Sequence, residues 1–379
     1  LVSDLSRQHL RFAPSLNDSE NGHLFRSVLM GIEQSLKELA QSPNNWIAIN
    51  RLLAAGERLS ALVVAQRLKE HGIDAHPVGA EDIGLKLKGI NRAPIVDLET
   101  SMVELDRSAF FGTPVITGWF GEGNDGELAL LGRGGSDHTA TSIARLVDAD
   151  KVILWKDVDG VLPINPRWGV ESSPIPYLGY SEAVELARLD TPVLHPATVE
   201  PLRGIGIPLE IRDLRSVVKD QAASIIGPDL IQTHKVKAIG CLPNVTRLTV
   251  SSSSLEAQSE LLGRVLIGLA DENIACWNLD SIPGQISWIV SQHDLEKANR
   301  IITNHFNAPE VSEYGVMFSL VGNKLPNVKN ALLSTEMTSL LELEIVSITD
   351  HAVRVISTRN DISVMLETLA NELELTIKV

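Results

Sequence analysis

The chain predicts an α/β protein in which helices sandwich a mainly parallel sheet, followed by two α+β units of ferredoxin-like order. Three observations lead there. Short apolar strands alternate with amphipathic helices over about the first 232 residues. Beyond them the composition shifts, and a β-α-β-β-α-β order occurs twice. The 379 residues and 44% hydrophobic content suffice for two or three compact units.

Residues 1 to about 45 read as polar helix, with LFRSVLMGIEQSLKELA the clearest amphipathic stretch. A second helix runs through ERLSALVVAQRLKEHG, closed by Gly72. Strand PVITGWF (114–120), the turn GEGNDG and strand ELALLG (127–132) follow. GRGGSD then leads into helix HTATSIARLVDA. Strand KVILW (151–155), the turn DVDG, helix SEAVELARL (181–189) and strand PLEIR (208–212) complete the region assigned to 1–232.

The remainder, 233–379, divides into two repeats. The first, about 244–306, carries TRLTVS, the helix LEAQSELLGRVLIGLADEN, ACWNLDS, QISWIVS and the helix DLEKANRIITNHF. The second, about 312–379, carries GVMFSLVGN, NVKNALLSTEM, LLELEIVSIT, AVRVISTR and DISVMLETLANEL, and takes in a strand near 236–241.

Charge and composition exclude several classes. A net charge of −15 argues against a nucleic-acid partner, which would need a basic surface. No apolar run reaches the length of a membrane span, and LVSDLSRQHL lacks the apolar core of a secretory signal. Cytoplasmic residence is the expectation. Cys241 and Cys276 supply neither a disulfide framework nor metal-ligand spacing.

Three segments carry chemistry. In GRGGSD, Gly132 to Asp137, glycines let the backbone approach an anion, and a helix start offers N–H groups and a positive dipole end. Ser136 reads as an N-cap, Arg133 as a bidentate carboxylate ligand, and Asp137 as a group that orients a charged partner. A Gly-rich strand-to-helix turn with a capping Ser is the equally open structural reading. In GERLSA, Glu57 falls at an expected helix start, where it is either a solvated first-turn carboxylate or a ligand for a substrate ammonium. In WKDVDGVLPINPRWG, Asp157 and Asp159 suit a metal or a ribose and Arg167 a phosphate. The competing reading is a turn built by Asp and Gly, and it is the better one for Asp159, which precedes Gly160. GEGNDG matches G-x-G-x-x-G, but a strand rather than a helix follows it, so it reads as a hairpin turn. No G-x-x-x-x-G-K-[ST] loop is present.

In this order, GERLSA, PVITGWFG, LGRGGSD, ILWKDVDGV, NPR and VLHPATVEPLRGIGIPLEIR resemble the aspartokinases of the amino acid kinase superfamily. The repeated C-terminal units resemble the tandem ACT domains of that family. The resemblance implies phosphoryl transfer from ATP, with Mg²⁺ on its phosphates, to the side-chain carboxylate of L-aspartate. That reaction opens lysine, threonine and methionine synthesis. It further implies that Glu57 binds the substrate amino group, that Arg133 holds a substrate carboxylate with Gly134, Gly135 and Ser136 beside it, and that Asp137 organises the transfer. Lys156, Asp157, Leu162 and Arg167 would line the nucleotide. An amino-acid effector (lysine or threonine) and a homodimer or higher assembly through the ACT units are also implied.

The sequence departs from the family pattern in places. The opening K-F-G-G-[TS] segment is not found. Lys156 stands where the family places Thr. Leu162-Pro163-Ile164-Asn165-Pro166-Arg167 replaces Y-T-x-D-P-R, and Pro192 replaces a Lys. Glu260 falls near an expected Gly and Trp277 near an expected Asp, which favours assembly over effector binding in the tail. The carboxylate side is therefore better preserved than the nucleotide side. Two alternatives follow: a catalytically impaired, regulatory or amino-acid-binding relative, or the kinase portion of a bifunctional aspartokinase–homoserine dehydrogenase.

Overall fold

Helix α1 spans Val2–Phe12, with Asp4 in its first turn and His9 and Arg11 in its last, both complementing the helix dipole. A 3-10 turn leads to α2 (Gly22–Gln41) and then to the 25-residue α3 (Trp46–Glu70). Phe25 and Ile32 of α2 meet Ala55, Leu59 and Leu62 of α3 in one core. Asn45 caps α3, its side chain accepting the N–H of Ala48. At the other end Gly72 takes φ +79 while its N–H reaches Lys69 and that of Ile73 reaches Leu68, a Schellman motif. The helix thus starts well before the position read from sequence. Asn45 is the start signal, and Gly56 inside the helix costs only about 1 kcal/mol against Ala.

The computed structural model describes residues 1–89, 94–189, 194–215, 222–230, 235–251, 255–325 and 335–375. Pro192, the boundary drawn at 232, most of NVKNALLSTEM and residues 376–379 fall outside them. The chain divides into two units: Leu1–Leu154 with Leu194–Glu210, and Trp155–Val193 with Ile211–Val379. This division by contacts is not the division at 232 drawn from sequence, because residues 155–193 group with the C-terminal sheet.

After α3 come β1 (Ala75–Val78), β2 (Leu87–Lys88), β3 (Ile95–Val96), α4 (Leu98–Glu104) and β4 (Thr113–Ile116). Strands β1 and β4 pair in parallel. The expected strand 114–120 is broken: Trp119 has φ 72, and a separate β5 (Phe120–Glu122) forms an antiparallel hairpin with β6 (Leu128–Leu130). GEGNDG is its turn, with Gly126 at φ +78 and the N–H of Gly123 on Glu127 O. Helix α5 (Gly135–Leu146) follows, then β7 (Val152–Lys156), β8 (Tyr177–Gly179), α6 (Tyr180–Ala187), α7 (Pro196–Val199), β9 (Leu209–Asp213) and β10 (Ser224–Gly227). The strand order is β7-β9-β10-β8, with β8 and β10 parallel. Thus α/β with helix-covered parallel strands holds.

The C-terminal part is one six-stranded sheet, order β12-β13-β11-β14-β16-β15. Its strands are β11 (Val236–Ser251), β12 (Asn278–Ile282), β13 (Gln285–Ser291), β14 (Glu310–Gly322), β15 (Leu343–Ile348) and β16 (Ala352–Ser357). Between them lie α8 (Leu255–Asp271), α9 (Leu295–Thr303) and α10 (Thr335–Leu341), and α11 (Ile362–Glu372) follows the last strand. Two strands read separately from sequence, near 236–241 and TRLTVS, are halves of β11. Its first half pairs with the second half of β14, and its second half with β13 and the first half of β14. Each half-sheet therefore has ferredoxin-like strand order. Gly315 stands where β14 passes from one half to the other. A Cβ there would lie 2.0 Å from the carbonyl oxygen of Arg359, so only glycine fits. Val265, Leu269, Ala298 and Ile302 of α8 and α9 cover Leu248, Val250, Ile286 and Trp288, while Met365, Leu366 and Leu369 of α11 cover Phe318, Leu320 and Val355.

Candidate functional site

In the first unit the parallel strands β1 and β4 end side by side, the position where open α/β sheets bind ligands. The loops that leave them are tied together. Thr117, just past β4, is buried, and its hydroxyl accepts the N–H of Ala80, just past β1. Gly118 packs on Ser136: a Cβ at Gly118 would sit 3.1 Å from the Ser136 Cα. The turn 132–137 therefore stands beside the ends of both strands.

That turn differs in detail from its sequence reading. Ser136 is not the N-cap. Gly134 is, at φ 70, and Ser136 lies exposed in the first turn of α5. A left-handed cap is cheap only for glycine, which is why the helix starts three residues earlier than HTATS suggested. No side chain caps this end, so its positive dipole is open to an anion. Gly135 is buried with room for no Cβ, which would fall 2.6 Å from both Leu131 and Trp119. Thr139 locks the turn: its hydroxyl donates to Gly135 O at 2.9 Å and accepts the Trp119 N–H at 3.1 Å.

Arg133 is exposed, and no hydrogen bond or ion pair engages it among the described residues. Asp137 is half-buried; burial holds the His195 imidazole below its ordinary value, and the Asp137 charge pulls against that fall. His195 also backs Gly134, where an added Cβ would lie 2.7 Å from the His195 Cβ.

Glu57 is not at a helix start but in the middle of α3, so the helix dipole does not favour it there. It is half-buried and likewise without a hydrogen bond or ion pair among the described residues. Its neighbour Arg58 is ion-paired with Glu81, next to Ala80 at the end of β1, and lies 5.4 Å from the Phe120 ring centroid. That pair fixes this turn of α3 at the level of the strand ends. Burial raises the Glu81 carboxyl, and the Arg58 charge pulls against that rise. Glu57 shares its turn of α3 with Arg58, whose partner Glu81 lies in the loop that leaves β1.

In the second unit, the loop after β7 is organised by ion pairs. Lys156 is half-buried, and Asp157 and Asp159 are exposed. Asp159 is bound by Arg215 at 2.8 Å, which Asp213 also grips, and Gly160 has φ +115. Asp159 is thus engaged within its own unit, beside a glycine in the left-handed region. Leu162 is half-buried, and Asn165 caps a 3-10 turn in which the Arg167 guanidinium lies 4.6 Å from the Trp168 ring centroid. In the tail, Glu260 pairs with Arg264 at 2.7 Å, and Trp277 packs beside Val245, Ile289 and Met317. Cys241 is buried and free, and burial pushes the free Cys276 thiol up to about 11.

Sequence reasoning missed Thr117, Thr139, His138, His195 and the Arg58–Glu81 pair. His195 stood within the quoted VLHP run. The others act through partners far along the chain, which no spacing reveals. Among the described residues no group of three or more His, Cys, Asp or Glu could hold a metal, and no helix is long and apolar enough to cross a membrane.

The model of the amino acid kinase family matches residues 13–213. The chain belongs to that family. Aspartokinase 2 of Bacillus subtilis is 27% identical over 391 residues, 96% of this chain and 92% of the relative. The aspartokinase of Geobacillus stearothermophilus is 27% identical over 331 residues, covering 83% and 78%. The fold is similar to that of E. coli aspartokinase III in complex with aspartate and ADP, with a TM-score of 0.75 and 21% identity over 94% of this chain and 82% of that one. Within the amino acid kinases the chain is placed among the aspartokinases.

Proposed function

We propose that the protein is an aspartate kinase, transferring the γ-phosphoryl group of ATP to the side-chain carboxylate of L-aspartate to give 4-phospho-L-aspartate. One observation carries the reading. Arg133 and Glu57, one cation and one anion, have no hydrogen-bond or ion-pair partner among the described residues; Arg133 stands in the turn beside the strand ends, and Glu57 on the turn of α3 that Arg58 ties to the loop after β1. A dicarboxylic amino acid supplies the complement, a carboxylate for Arg133 and an ammonium for Glu57.

In this reading Arg133 holds a substrate carboxylate and Glu57 the ammonium. Gly134, Gly135 and Ser136 let the anion approach the backbone at the start of α5, and Asp137 organises the transfer. Lys156, Asp157, Leu162 and Arg167 serve the nucleotide. Phosphoryl transfer asks the protein mainly for positioning and charge neutralisation. Mg²⁺ commonly binds through substrate phosphates and waters with few protein ligands, so it arrives with ATP and needs no preformed cage. The relative of known structure that binds aspartate and ADP supports this pair of substrates. The six-stranded sheet serves assembly into a dimer or larger oligomer. Glu260 and Trp277, near which an effector would be sought, are occupied within their own unit. The pathway is the one leading to lysine, threonine and methionine, and the setting cytoplasmic.

The test is aspartyl-hydroxamate formation by the intact gene product with ATP, Mg²⁺ and aspartate. Turnover that needs all three and collapses in Arg133→Ala is expected. Turnover no higher than that of Arg133→Ala would overturn the assignment.

A further inference from the structure

His138 directly follows the turn 132–137 and is 6% exposed. Its ring joins three segments of the first unit. Nε2 lies 3.1 Å from the backbone N–H of Val96 in β3, and that N–H can only donate, so Nε2 is the acceptor. Nδ1 meets the carbonyl oxygen of Ala197 in α7, which can only accept, so Nδ1 carries the proton. Both bonds form together only in the neutral Nδ1–H tautomer. A second proton would set an N–H against the Val96 N–H and leave that buried donor unpaired. The adjacent Thr139 holds Gly135 and Trp119, so whatever shifts the ring shifts the turn.

We propose that His138 is a positioning residue for the amino-acid site: its neutral ring braces the first turn of α5 between the backbones of β3 and α7, and acid releases that brace. The inference rests on the aspartate-binding reading of the turn.

Several charged groups sit on the elements around the ring. They are His195 at the head of α7, Asp97 after β3, Glu99 and Glu104 on α4, Glu200 after α7, and Asp137 and Arg145 on α5 itself. Of these, the His195 charge bears on His138, opposing its protonation. The Nδ1 of His195 accepts the Ala197 N–H at 3.2 Å, which puts its own proton on Nε2. Burial, the larger cause, and His195 both hold the His138 imidazole below its ordinary 6.5, against the Ala197 bond that raises it. A depressed folded value means that the brace's contribution is complete above about 6.5. It is lost as pH falls below 6.5 and through the lower folded value.

The experiment compares wild type, His138→Gln and His138→Phe between pH 7.5 and 5. The Gln amide reproduces both hydrogen bonds and does not titrate; Phe fills the space and makes neither. Amide hydrogen exchange at Val96 and residues 135–139, corrected for intrinsic rates, is read beside the calorimetric Kd for aspartate. In wild type, Val96 protection should fall at least tenfold on acidification, with Kd rising in step. H138Q should show neither change. H138F should bind aspartate roughly tenfold more weakly at every pH, since two buried polar groups lose their partners. Identical acid profiles for wild type and H138Q overturn the brace. So does a ¹⁵N spectrum showing the Nε2–H tautomer at pH 7.5. Intact acid-labile protection with no aspartate affinity at any pH would overturn the aspartate reading instead and leave the brace standing.

Discussion

The turn at 132–137 and the loop at 156–167 both carry cations and carboxylates, yet they use them differently. On the side of the turn, Arg133 and, on α3, Glu57 have no hydrogen-bond or ion-pair partner among the described residues. In the loop, Asp159 is held by Arg215, Arg167 lies over Trp168, and Lys156 has a partner in the protein. Unspent charge marks where a charged ligand is recognised, because an ion pair already satisfied in the protein must first be broken. In the proposed reading the amino-acid side recognises its ligand by charge complementarity, while the loop assigned to the nucleotide uses its charges to set its own shape.

That contrast can be broken or sharpened by substitution. The largest effect is expected at Arg133. Arg133→Ala should lower kcat/KM by about 10²–10³, the loss typical of removing one charge-stabilising donor. Arg133→Lys should recover only part, since a point charge cannot reproduce the bidentate fork. Glu57→Gln comes next. Losing a charge-assisted hydrogen bond should weaken aspartate binding by about 1.5–3 kcal/mol. The thermal midpoint should stay put, because Glu57 makes no hydrogen bond or ion pair among the described residues. Asp159→Asn should do least. Its pair with Arg215 is 71% and 63% exposed, where such bridges contribute about 0–1 kcal/mol, so KM for ATP should shift less than about fivefold. A fall at Asp159 comparable to that at Arg133 would erase the distinction between the two regions.

The sequence made visible what depends on neighbours in the chain. Gly72, the hairpin at GEGNDG and the paired C-terminal repeats are written in turn chemistry and in period. The turn 132–137 is legible because three glycines beside an arginine and a serine at a helix start suit an anion as well as a tight turn. What stayed hidden depends on distant partners. Glu57 falls at a helix start when the helix is read from ERLSALVVAQRLKEHG, whereas packing of α3 in its core carries the helix through Gly56 at small cost. Ser136 was taken for the cap, because only the chain's conformation shows Gly134 in the left-handed region. Strand β1 was overlooked because AHPV is short and contains Pro77, yet its end helps to define the site. The continuity of β11 could not be read, since Pro243 and Asn244 (φ 52) resemble a break between strands rather than the passage between two half-sheets.

The central claim is that Arg133 and Glu57 read the two ends of one dicarboxylic amino acid. Calorimetric titration with aspartate and with succinate, which lacks the ammonium, tests it most directly in wild type, Arg133→Ala and Glu57→Gln. Wild type should prefer aspartate, Glu57→Gln should bind both ligands equally, and Arg133→Ala should lose both. A Glu57→Gln protein that keeps the full preference for aspartate would contradict the account.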